Sequence, residues 1–256
     1  PVTAIAENAL SRQEQLLSVV IPKGIIRIGD GAFGGCTNLT ELIIPQGVTY
    51  IGISAFSKCT NLKKIVLPDS ITELGNSAFT RCTALETITL PKGLQKISNT
   101  LFMDCTALHT VNISQGVTEI GEWAFYGCTA LNNVVLPEGL QKINTLVFRD
   151  CSSLTNISIP DSILQIADDA FEDCPLNYTQ YGEGLYLGNA NNPYVMLVML
   201  ADRSANSFEV HTGTKIIGSY GFRGGQFTSI SLPDGLVSIG SYAFSSNYMQ
   251  KLDIPN

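Results

Sequence analysis

The sequence predicts a repeat solenoid, on three observations that share one period. The seven cysteines, Cys36, Cys59, Cys82, Cys105, Cys128, Cys151 and Cys174, follow one another at 23 residues. Phenylalanine keeps the same step at Phe33, Phe56, Phe79, Phe102, Phe125, Phe148 and Phe171. Leucine keeps it from Leu16 to Leu154, and proline does so at Pro22, Pro45, Pro68, Pro91, Pro137 and Pro160, with Ser114 the one absentee. A fixed period of this size means stacked units, each burying its neighbour's apolar edge.

One clean copy runs from Leu39 to Cys59, and each piece has its own cause. Leu42 and Ile44 alternate at period two, which predicts a short strand with one buried face. Pro45 has no N–H to give a ladder and ends that strand. Val48 and Ile51 return to the core, and Gly52 reads as a turn residue. Ala55-Phe56 sets a large ring beside a small residue, and the stretch through Cys59 reads as one helical or 3₁₀ turn. Stacked copies place their strands side by side in a parallel sheet, about 4.8 Å apart.

The pattern departs from itself in three places. A 46-residue superperiod links Pro91–Ile113 to Pro137–Ile159 through shared Gly-Leu-Gln-Lys-Ile and Phe-x-Asp-Cys, as tandem duplication leaves behind. After Cys174-Pro175 the register breaks. The apolar runs Gly184–Leu187 and Tyr194–Leu200, joined by the turn-rich Gly188–Pro193, predict a β-hairpin inserted over residues 176–206. The repeat resumes near Phe208, and the last coils shorten to 22 residues and lose the cysteine. The chain opens at Pro1 inside a repeat and ends just past a strand at Asn256. Neither end carries a polar cap. Residues 1–256 therefore read as one solenoid domain, a fragment of a longer protein.

Composition narrows the function classes. Of 256 residues 45% are hydrophobic and only 14% charged, so the chain folds, and Ser, Thr, Asn and Gly cover much of its surface. The net charge of −7, with no basic run, disfavours nucleic acid. The longest apolar run, Tyr194–Ala201, is too short to span a bilayer, and no basic segment precedes an apolar one as a signal peptide requires.

The Leu-x-x-apolar-x-apolar-Pro, apolar-x-x-Ile-Gly and Ala-Phe-x-x-Cys blocks, repeated in register over nearly the whole chain, resemble the leucine-rich repeat family in its 23-residue BspA-like (Treponema pallidum-type) class. The resemblance implies an α/β leucine-rich repeat solenoid. This is a right-handed horseshoe, β-rich, with a parallel sheet on its concave face and short strands and helical or 3₁₀ turns on the convex side. It also implies a bacterial secreted or cell-surface protein engaged in adhesion and protein binding.

No arrangement of residues points to catalysis, a cofactor or a metal. His109 follows a consensus leucine and His211 fills a proline slot several coils away, so they do not share a site. No cysteine pair has metal-ligand spacing, and the odd count with parallel side chains favours free buried thiols. Asp168, Asp169, Glu172 and Asp173 are dense enough for calcium but lack the loop spacing, and read as a solvated turn. Gly182-x-Gly184 lacks the context of a dinucleotide loop. Tyr178, Tyr181, Tyr186 and Tyr194 gather on the hairpin and read as its own apolar packing.

The concave face is the candidate site. Its middle outward column reads Val20, Ile43, Val66, Thr89, Asn112 and Val135, continuing through Ser158, Glu209, Ser231 and Asp253. The adjacent column reads Ser18, Glu41, Lys64, Thr87, Thr110 and Asn133, continuing through Asn156, Ser207, Ser229 and Lys251. Val20, Ile43 and Val66 form an apolar stripe rimmed by Glu41, Lys63, Lys64 and Glu86, as a protein-binding surface would. The expectation is a non-enzymatic interaction or adhesion module that binds another protein, such as a host extracellular or surface protein. The alternatives are a carbohydrate-binding module, resting on the Thr/Asn-rich half of the face, and a structural spacer.

Overall fold

In the computed structural model, which describes residues 2–255, the segments before Pro45, Pro68, Pro91, Ser114 and Pro137 are three-residue strands. The expectations placed on Pro1 and Asn256 lie outside these residues. The strands are Glu41–Ile43, Lys64–Val66, Thr87–Thr89, Thr110–Asn112 and Asn133–Val135, with Ser207–Glu209 and Ser229–Ser231 beyond the insert. The middle residue of each points inward, and the parallel register sets Leu42 against Ile65 and Val111 between Ile88 and Val134. Hydrogen bonding divides this concave sheet into three ladders, broken after Val66 and after Val135. Residues 18–20 and 156–158, which the columns place on the same face, form no strand.

A second row of parallel strands, its hydrogen bonding broken after Leu74 and after Ile166, runs along the opposite side, built from two-residue strands such as Arg27–Ile28, Tyr50–Ile51 and Glu73–Leu74. One residue of each, Ile28, Ile51 or Leu74, is buried, so each coil that also has a concave strand is pinned between two sheets.

The expected helical or 3₁₀ turn does not form, and with it goes the α part of the α/β class: no helix exists among the described residues. Left-handed residues are the reason. Ser54 and Lys58 have φ of 54° and 61°, Ser77 and Arg81 60° and 61°, Thr100 and Asp104 55° and 60°. Two such residues four apart interrupt any right-handed run. They also turn alternate N–H groups toward the neighbouring coil. Ser54, Phe56 and Lys58 donate to the carbonyls of Asn76, Ala78 and Thr80 at 2.8–2.9 Å, while Ala55, Ser57 and Cys59 close tight turns within their own coil. Every buried amide of the segment is thereby paired.

Gly52 also differs from its reading as a turn residue. Its φ is not left-handed; a Cβ there would sit 2.5 Å from the Asp30 nitrogen and 2.6 Å from the Gly29 carbonyl carbon. Gly52 is there because adjacent backbones touch.

The core is a stack of identical side chains. Consecutive rings from Phe33 to Phe171 lie 5.2–5.5 Å apart and within 14° of parallel. Cys36 to Cys151 are buried and Cys174 is half-buried; all seven thiols are free. Each thiol lies on a main-chain carbonyl of the preceding coil: Cys59 Sγ donates to Phe33 O at 3.2 Å and Cys105 Sγ to Phe79 O at 3.1 Å. Those carbonyls already accept the N–H of Cys36 and Cys82, so the thiol fills the second lone pair.

Residues 176–206 hold three antiparallel strands, Thr179–Tyr181, Gly184–Leu187 and Met196–Leu200. The last pairs in parallel with Ile216–Ile217, which returns the chain to the second ladder. Beyond it the register step is 22 residues, Ile216 opposite Ser238.

Candidate functional site

The concave strands present their flanking residues to solvent because only the middle side chain fits between coils. Lys64 lies against Glu41, and Val66 against Ile43. Thr87, Thr110 and Asn133 form one row across the next ladder, and Thr89, Asn112 and Val135 another. Asn112 Nδ2 donates to Thr89 Oγ1 at 3.3 Å. The break after Val66 separates these rows from the first pair of strands. Val20 lies outside every ladder, yet it is the most exposed large apolar residue of the face, at 94%, with Ile43 at 71% and Val66 at 43%.

Val20 and Ile43 line a groove of about 630 Å³ together with Val19, Ile21 and Leu42. Glu41 and Lys23 supply its charge, and Pro45 and Gln46 complete its lining. The rim differs from the one read off the columns. Val66 of the expected stripe and Lys63, Lys64 and Glu86 of the expected rim do not line the groove; Lys23, Pro45 and Gln46 do. These belong to turns flanking the strands, where the period-two pattern carries no information. Exposed β-branched residues that share one concavity form a continuous apolar surface.

The chemistry-bearing residues elsewhere are engaged locally. His109 Nδ1 contacts Thr110 Oγ1 at 3.1 Å. His211 Nδ1 accepts the Gly213 N–H at 3.0 Å, and its ring packs on Tyr194 at 3.8 Å and against Tyr181 at 4.8 Å. Asp169 accepts the Leu146 N–H at 3.1 Å, replacing the carbonyl that a regular coil would offer. Arg149 pairs with Glu172 at 3.1 Å and reaches Asp173 at 3.6 Å. Burial pushes the thiols of Cys59 and Cys105 up to about 12, and those of Cys82 and Cys128 well above their ordinary value. A nucleophilic cysteine needs the opposite shift. Cys174 alone has one, and its cause is the hydrogen bond with the buried Cys151 thiol, not a neighbouring cation or base.

Comparison with known proteins gives one family. The model of the BspA type leucine rich repeat region, in six copies, matches residues 3–131, 74–189 and 199–256. A leucine-rich repeat protein from Bacteroides ovatus superposes with a TM-score of 0.70 at 26% identity, over 99% of this chain and 70% of that one. A leucine rich cell surface protein from Faecalibacterium prausnitzii gives 0.60 at 31% identity, over 95% of this chain and 62% of that one. The leucine rich repeat protein of T. pallidum gives 0.58 at 33% identity, over 60% of this chain and 72% of that one. None of the curated proteins compared matches the sequence. Among the described residues no helix is long and apolar enough to cross a membrane.

Proposed function

Because the chain belongs to the BspA-type leucine-rich repeat family, we propose that it is a non-enzymatic interaction module of a secreted or cell-surface protein. It holds a folded protein partner at the N-terminal end of its concave sheet. The observation that carries this reading is the groove in which Val20 and Ile43 stand 94% and 71% exposed beside Lys23 and Glu41. An apolar centre with a charged rim is the anatomy of a protein interface. The surface assignment draws support from the F. prausnitzii relative, a cell surface protein by name. The non-enzymatic reading draws support from thiols that burial keeps protonated and from histidines engaged with their own neighbours.

The test is a binding screen of the chain against host extracellular and surface proteins, beside the paired variant Ile43→Lys with Val66→Glu. Both positions are solvent-exposed, so circular dichroism should show an unchanged fold. A protein hit weakened by a hundredfold or so, about 3 kcal/mol, supports the site. A hit that the variant keeps refutes it. Silence from every candidate favours a spacer.

A further inference from the structure

We infer that the asparagine-lined cleft between the concave face and the insert is a second binding site, for a neutral oligosaccharide. It lies where the regular concave ladder ends at Asn133–Val135 and residues 188–193 rise as a wall. Its volume is about 500 Å³, within the range of small-ligand sites.

The lining is polar without being charged. Asn133, Asn156, Ser158, Asn177 and Thr179 are exposed within it, and no lining residue carries a charge. Carboxamides both donate and accept, as sugar hydroxyls do. Beneath them Val134, Ile157, Leu187 and Pro193 provide an apolar floor for the C–H face of a pyranose. A carboxylate-bearing sugar would find no cation here.

The cleft is preformed. Asn189 Oδ1 accepts the N–H groups of Asn191 and Asn192, each at 2.9 Å, which fixes the wall. Asn177 Nδ2 donates to Asn156 Oδ1 at 3.3 Å, which holds two carboxamides side by side. Rigid groups lose little entropy on binding.

An extended peptide is the competing occupant, and the backbone argues against it. Strand addition needs free main-chain groups. The insert already takes them at both ends of this segment. Ile159 N–H donates to Gly188 O at 2.9 Å, Ile159 O accepts Asn189 Nδ2 at 2.9 Å, and Thr155 O accepts the Asn177 N–H at 2.8 Å. Only residues 156–158 between them keep free main-chain groups, a run too short to take up a strand, so side-chain amides and hydroxyls carry the recognition.

This site is separate from the Val20–Ile43 groove, so the two readings stand or fall apart. The experiment is an array of neutral and acidic glycans, with calorimetry on any hit. It uses the parent chain, the paired variant Asn133→Ala with Ser158→Ala, and the groove variant Ile43→Lys with Val66→Glu. The structure predicts a neutral glycan whose affinity falls roughly tenfold in the first variant and is unchanged in the second. The inference is overturned by absence of neutral-glycan binding, by preference for acidic glycans, by binding that survives Asn133→Ala with Ser158→Ala, or by an uncharged peptide that competes the sugar away.

Discussion

Cutting the phenylalanine stack at its middle should cost much more than cutting it at its end. Phe102 is fully buried and stacks on Phe79 and Phe125, each at 5.5 Å. Phe102→Ala leaves a ring-sized cavity, about 3–5 kcal/mol in a rigid core. Losing two stacked partners, each about 0.5–1.5 kcal/mol beyond area, places the cost near the top of that range. Phe171 is half-buried and has one stacked partner, Phe148, at 5.5 Å. Phe171→Ala should cost about half as much, roughly 2 kcal/mol. Urea melts followed by circular dichroism measure both. Because solenoid stability is a sum over coil interfaces, Phe102→Ala should also lower the slope of the transition as the two halves uncouple. Equal costs, or a Phe102→Ala cost below about 2 kcal/mol, would show that the ring column is not the spine of the fold.

Three further outcomes follow from the coil geometry. The thiols of Cys59 and Cys105 titrate near 12 when folded against an ordinary 9.0, so above pH 9 the unfolded chain releases protons that the folded one keeps. Stability is therefore complete below pH 9 and falls by ~1.4 kcal/mol per thiol per pH unit above it, and Cys105→Ala should flatten that decline in alkaline melts. Lys58, exposed at φ 61°, is a left-handed residue with a side chain. Lys58→Gly should gain about 0.5 kcal/mol after the glycine's unfolded-state entropy is offset, read as a higher urea midpoint. Gly75→Ala would put a Cβ 2.4 Å from the Ile53 nitrogen, whereas a Cβ on Gly235 meets nothing within 4 Å. The first should cost about 2–3 kcal/mol and the second almost nothing, measured as thermal midpoints.

What the residues revealed and what they hid divides along physical lines. The strand before Pro45, the buried Phe56 and the thiol of Cys59 were legible because each recurs at 23 residues and answers to burial. The second ladder was harder to read, since Tyr50–Ile51 is too short to show alternation. In the left-handed pairs glycine stands only at Gly31, Gly35, Gly127 and Gly224, while Ser54, Lys58, Trp123 and Leu146 fill the same places elsewhere, so no repeating glycine marked them and a helical turn was the natural reading and the wrong one. On the concave face the outward columns were legible from period two. Lys23 and Gln46 were not, because turns bring them to the groove. The asparagine cleft joins Asn133 to Asn177 and Asn189 across an insert, a juxtaposition that a linear pattern does not contain.

A protein partner seated in the N-terminal concave groove would leave its footprint in amide hydrogen exchange of the chain, compared with and without the partner bound. Slowed exchange confined to residues 19–23 and 41–46, with Arg27–Ile28 and Tyr50–Ile51 on the opposite ladder unchanged, is the expected footprint. Protection on that opposite ladder, or at the 176–206 insert alone, would contradict it.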